Sequence, residues 1–139
     1  MSRRSRAREV ALQVLYQDDL NPTQRVVQTD KFVQARLRND PQLVEFAREL
    51  IAGVRRHRDQ LDQVLMACAE NWSLARMAVT DRNVLRLGAF EILMTDTPNR
   101  VAVDEAVNLA KRFGAEHSAQ FVNGILDRIL NSEMTIQQQ

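Results

Sequence analysis

Arg3, Arg4, Arg6 and Arg8 crowd the amino-terminal end of this chain, with Glu9 the only nearby acid, and Gln13 and Tyr16 follow at helical spacing. Guanidinium groups suit phosphates, an amide suits a base edge and an aromatic ring suits an unstacked base, so the set fits single-stranded RNA. It also fits a solvated helix start, although positive charge there mildly opposes the helix dipole. Bond-making chemistry is harder to assemble. His57 and His117 lie far apart, and Cys68 has neither a CxxC partner nor a suitably spaced histidine, so zinc lacks an obvious ligand set. The 4 glycines build no GxSxG, Walker A or GxGxxG pattern. Asp59 with Asp62, and Asp104 with Glu105, are carboxylate pairs of the kind found on solvated faces and near helix starts. We expect no enzyme, no metal and no cofactor.

Such residues need a scaffold, and the composition points to helices. The chain has 139 residues, 45% hydrophobic and 27% charged, with aromatics at 5% and only 3 prolines, and strand-favouring residues do not cluster. The net charge of +1 is uninformative beside its uneven distribution. A lone Cys68 excludes an internal disulfide and fits a reducing compartment. No apolar run approaches the roughly 20 residues of a membrane span, and the basic start lacks the apolar stretch of a secretory signal. The expected location is cytoplasmic, without membrane contact.

Periodicity predicts seven helices. The first runs from about Arg4 to Asp19, with Ala7, Val10, Ala11, Val14 and Leu15 inward. On a wheel of about 100° per residue, Arg6, Glu9, Gln13 and Tyr16 face away while Arg4 and Arg8 flank the core stripe. After an Asn21-Pro22 turn, a weaker helix covers about Val26 to Arg38, with Val26, Phe32, Val33 and Leu37 apolar. Asp40 caps a third helix that begins at Pro41, with Leu43, Phe46, Ala47, Leu50, Ile51 and Val54 inward and Arg55 to Arg58 basic at its end. Leu61, Val64, Leu65 and Cys68 mark a fourth. Asn71 to Val79 joins two lobes, with Trp72 as a packed hinge and a turn at Ser73 to Arg76. Thr80 caps a fifth helix carrying Val84, Leu85, Gly88, Ile92 and Leu93, which Thr97-Pro98-Asn99 ends. The sixth spans about Ala102 to Phe113, with Val103, Ala106, Val107 and Ala110 on one side and Gly114 as a left-handed stop. Ser118 caps a seventh, with Val122, Ile125, Leu126, Ile129 and Leu130 inside, and Met134 to Gln139 fray. Phe121 in its first turn is either a staple onto a neighbour or a stacking ring. Gly53, Gly88 and Gly124 inside helices suggest close helix approach.

Three segments resemble the NusB family: Arg6-Ala7-Arg8-Glu9 with Gln13-Val14-Leu15-Tyr16; Asp81 to Leu87 with Phe90-Glu91; and Val103 to Val107, Leu109-Ala110-Lys111 and Phe121 to Asp127. Their order and spacing cover about residues 3 to 131. The resemblance implies an all-α fold of seven helices in two small bundles. We read residues 1–139 as one such domain, with lobes at about 1–70 and 71–139. It implies a non-enzymatic transcription antitermination factor that binds boxA RNA of ribosomal RNA leader transcripts. It further implies a partnership with ribosomal protein S10 (NusE), and the two joining the RNA polymerase elongation complex with other Nus factors. Members occur as monomers and as homodimers, so a homodimer is among the implied partners. Carried over by motif position, the RNA-binding residues are Arg4, Arg6, Gln13, Tyr16 and Phe121. Ser5 interrupts what is often an unbroken arginine run, and Arg3 compensates. Phe121 would then complete a surface begun by the first helix. His117 stands where some relatives carry an acid. The same module precedes the catalytic domain of some RNA cytosine methyltransferases, for which the residues up to Gln139 leave no room. The competing reading is a helical protein-binding scaffold with no specific RNA recognition.

Overall fold

The computed structural model describes residues 3–21, 29–69 and 73–132. These form seven helices and one short 3₁₀ turn, with no strand among the described residues. The helices are α1 (Arg3–Leu20), α2 (Thr29–Arg36), α3 (Pro41–Arg56), α4 (Arg58–Cys68), α5 (Val79–Met94), α6 (Asn99–Phe113) and α7 (Ser118–Asn131), with the 3₁₀ turn at Leu74–Arg76. The turn at Pro22, the first residues of the expected second helix including Val26, the hinge residues Asn71 and Trp72, and the tail Met134 to Gln139 lie outside the described residues.

The chain divides into two compact units, Met1–Arg55 and Arg56–Gln139. This moves the expected boundary near residue 70 to the end of α3. The reason is that α4 packs on α5 and α7 and so belongs with the carboxy-terminal helices.

In the first unit, α1 buries the predicted Ala7, Val10, Ala11, Val14 and Leu15, together with Leu12. It also buries Arg8, Glu9 and Asp18. Asp18 meets Arg55 of α3 in a two-pronged pair, with Nε donating to Oδ2 at 2.7 Å and Nη2 to Oδ1 at 2.8 Å. Arg48 of α3 makes the same fork with Asp30 of α2, at 2.8 Å on each side. The start of α3 is as the residues dictate: Asp40 Oδ1 accepts from the backbone N–H groups of Gln42 and Leu43 at 3.2 and 3.3 Å. Its inner face is Val44, Ala47, Leu50, Ile51 and Val54. Leu43 and Phe46, expected inward, are half-buried instead, because Val44 takes the core direction one residue on.

In the second unit, α5 is the central element, packed against α4, α6 and α7. Every residue from Asn83 to Glu91 is buried. A helix enclosed on all sides must satisfy its polar groups internally. Asn83 Nδ2 donates to the Val79 carbonyl at 2.8 Å. Arg86 forks onto Asp62 of α4 at 2.7 and 3.1 Å, which gives Asp62 a structural partner rather than a solvated face. Thr97 Oγ1 donates to Glu91 Oε2 at 2.9 Å, tying the turn after α5 back to the helix.

Three caps differ from expectation. Helix α5 begins at Val79, and its N-cap Ala78 makes no side-chain cap bond, so Thr80 lies inside the first turn. Helix α6 begins three residues early, at Asn99, where Pro98 sets the entering backbone. Its buried face is Ala102, Ala106, Leu109 and Ala110, so Val103 and Val107 are rotated to its flank. Ser118 is the first residue of α7 rather than its cap. Its hydroxyl accepts from the Ala115 N–H at 2.8 Å and closes the turn from outside the helix.

Two glycines also differ. Gly114 is extended (φ −92°, ψ −171°) rather than left-handed. Its lack of a side chain matters for space, since a Cβ there would meet Ser118 and the Ala110 carbonyl at 2.6 and 2.7 Å. Gly88 does mark a close approach, with Leu126 Cδ1 and Ala106 Cβ at 2.8 and 3.2 Å from a built Cβ. Gly124 does not: nothing lies within 4 Å.

Candidate nucleic-acid interface

Helix α1 carries the basic cluster, and other parts of the first unit decide where each guanidinium sits. Arg3 pairs through Nη2 with Asp40 Oδ2, the second oxygen of the α3 cap. The Arg3 side chain keeps 66% exposure against 29% for Asp40. Arg4 lies over the Phe46 ring at 4.7 Å, and Arg8 over the same ring at 5.0 Å. Both distances are within cation–π range. Arg4 is exposed and Arg8 is buried, so one ring orders an outer and an inner guanidinium. Arg6 is exposed and reaches Glu9 at 3.3 Å.

The expectation that Glu9 faces away is corrected, because its side chain is 5% exposed and lies under Arg6. A carboxylate leaves water only with donors, and the guanidinium one turn away is one of them. Gln13 is exposed and Tyr16 half-buried. The structure therefore brings Arg3, Arg4, Arg6, Gln13 and Tyr16 together on one helix. Arg8 is internal.

The carboxylate of Asp40 is held below the ordinary range, first by the bond from Arg3 and next by the Leu43 N–H. It remains an anion beside Arg3 at neutral pH. Sequence reasoning missed Asp40 and Phe46 as the groups that order this cluster. The helix-cap signal identified Asp40 for another job. Nothing local identifies Phe46, which lies about forty residues from the arginines it supports.

Phe121 belongs to the second unit, in the first turn of α7, and is half-buried. With Met77, Asp81, His117 and Ser118 it lines a cavity of about 330 Å³. Asp81 Oδ1 is itself shielded from solvent and has no hydrogen-bond partner. His117 is exposed on the rim.

No group of three or more His, Cys, Asp or Glu among the described residues could hold a metal ion. Cys68 is a buried thiol outside any disulfide, and burial pushes its pKa up, which disfavours the nucleophilic thiolate. No described helix is long and apolar enough to cross a membrane. The described residues thus form a helical protein whose first helix carries an exposed basic cluster beside Gln13 and Tyr16.

The chain belongs to the NusB family, whose model matches residues 5–131. It is 44% identical over 133 residues to the transcription antitermination protein NusB of Myxococcus xanthus, covering 93% of this chain and 95% of that relative. It is also 44% identical over 134 residues to the NusB protein of Desulfitobacterium hafniense. Among solved structures, T. maritima NusB superimposes with a TM-score of 0.83 at 37% identity, covering 95% of this chain and 92% of that one. A crystal structure of antitermination factors NusB and NusE in complex with dsRNA superimposes with a TM-score of 0.82 at 28% identity, covering 94% and 98%.

Proposed function

We infer that this protein is a transcription antitermination factor and not an enzyme. It binds boxA RNA of ribosomal RNA leader transcripts together with ribosomal protein S10 (NusE), and joins the RNA polymerase elongation complex with other Nus factors in the cytoplasm. The observation that carries this reading is the family match running through both units, from residue 5 to 131, joined to a neighbour crystallised with NusE and dsRNA. Both units are read as one functional module.

The RNA-binding residues we propose are Arg3, Arg4, Arg6, Gln13, Tyr16 and Phe121. Three observations support them. Arg3, Arg4 and Arg6 are exposed at one end of α1. Phe46 limits the rotamers of Arg4, so less freedom is lost on binding a phosphate. Phe121 lines a cavity instead of being sealed in the core.

The test is binding of boxA RNA against a scrambled RNA, with and without S10. The expected result is preference for boxA that increases with S10. Arg4→Ala should weaken binding and flatten the salt dependence by about 0.7 in log–log slope, the value for one phosphate contact on a single strand. Equal binding of both RNAs would leave the protein-scaffold reading in its place.

A further inference from the structure

The exposed arginines of α1 are held in two different ways. Arg3 and Arg6 rest on carboxylates, those of Asp40 and Glu9. A phosphate must displace those oxygens before it can take the guanidinium N–H groups. Arg4 rests on a ring, with its Cζ 4.7 Å from the centroid of Phe46 in α3. Among the described residues no carboxylate takes its N–H groups. A ring attracts a guanidinium through its charge and its flat face, not through its donors. Phe46 itself is half-buried and outside the buried face of α3. The same ring carries a second guanidinium, that of Arg8, at 5.0 Å. Arg8 is 3% exposed, so the inner partner of the ring is fixed in the fold. Arg4 lies one turn earlier on the same helix, at solvent.

We propose that Phe46 is a positioning residue of the RNA interface, which holds Arg4 as the anchor that takes a phosphate without first giving up a carboxylate. The proposal rests on the RNA-binding reading above. It sets an order among the arginines. Arg4 is aimed in advance with its donors available, whereas Arg3 and Arg6 exchange one anion for another. Leucine at position 46 would keep apolar bulk but offer no π face, and Arg4 would regain the rotamer freedom of a long side chain.

The experiment measures the affinity of the full chain for boxA RNA, per folded molecule, in Phe46→Leu, Phe46→Tyr, Arg4→Ala and the Arg4→Ala, Phe46→Leu double variant. Phe46→Leu should weaken binding about two- to fivefold, the range of an exposed cation–π contact. Phe46→Tyr keeps the π face and should bind as the parent does. In the Arg4→Ala chain, Phe46→Leu should cost nothing more, because the ring acts only through Arg4. An equal loss from Phe46→Leu in both backgrounds, or no loss in the parent, would overturn the positioning role and leave the ring as packing. Alanine at each arginine in turn leaves α3 untouched, so that comparison stands even where Phe46→Leu fails to fold. Arg4→Ala should weaken binding more than Arg3→Ala or Arg6→Ala, and a loss no greater than theirs would overturn the proposal. A parent chain with no preference for boxA over scrambled RNA would instead overturn the RNA reading itself.

Discussion

Asp40 does two jobs with its two oxygens, and Asp40→Asn separates them. Oδ1 caps α3 by accepting from Gln42 and Leu43, while Oδ2 holds Arg3. Asparagine caps a helix about as well as aspartate, so its carbonyl oxygen keeps the first job. Its amide cannot do the second, because two donor groups would face each other. The variant therefore frees Arg3 and removes a negative charge from the path of a phosphate. Arg3 is 66% exposed, and exposed pairs are weakly coupled, so release should tighten RNA binding by no more than about fivefold. The salt slope should steepen by up to about 0.7, because phosphate no longer displaces a resident carboxylate. Fluorescence anisotropy of a labelled boxA RNA over a salt series reads both quantities. A folded variant that bound RNA more weakly, or with an unchanged slope and affinity, would remove Arg3 from the interface. The same residue carries a pH signature. Its folded pKa lies below the ordinary aspartate value of 3.8, so it contributes stability above that value and loses it as pH falls through the lower folded pKa. The melting temperature of Asp40→Asn should accordingly fall less steeply than that of the parent below pH 3.8.

Gly88→Ala and Gly124→Ala should have opposite signs. Alanine gains about 1 kcal/mol of helix propensity at either place. At Gly88 the new methyl meets Ala106 and the fully buried Leu126, and overpacking of about 1–3 kcal/mol outweighs the gain; urea midpoints at constant m-value would read both. Arg55→Ala strands the buried Asp18 carboxylate and should destabilise by about 3 kcal/mol, while Asp18→Asn with Arg55→Ala should recover part of that loss; a double-mutant cycle that came out additive would show that the pair is not coupled. Tyr16→Ala and Phe121→Ala should each weaken RNA by about 1–3 kcal/mol of stacking, measured per folded molecule, and a Phe121→Ala chain that bound normally once folded would assign that ring to packing alone.

Much of this protein is written in local pattern. The seven helices follow from 3.6-residue periodicity and from the Asp40-Pro41 start, because backbone hydrogen bonds in a helix reach only four residues and side chains three or four apart share a face. That period found all five inward residues expected of α1, and it set the outward arginines apart from them. The ordered motifs also pointed to the family. Local pattern erred where an element is surrounded. Helix α5 buries nine consecutive residues, from Asn83 to Glu91, so no one-sided stripe could describe it. On α1, Glu9 is covered although its wheel position looks outward.

What only the tertiary structure decided is which charges meet. Arg3 finds Asp40 and Arg55 finds Asp18, each 37 residues away. Arg86 finds Asp62 at a separation of 24. Phe46 gathers two arginines from another helix. Asp81 reaches the same cavity as Phe121 only because α5 and α7 pack together. Spacing along the chain carries no information about such pairs, since helix packing places them and many registers share one hydrophobic stripe. The arginine-rich first helix was visible at once in the sequence. The groups that aim its arginines became visible only in the fold.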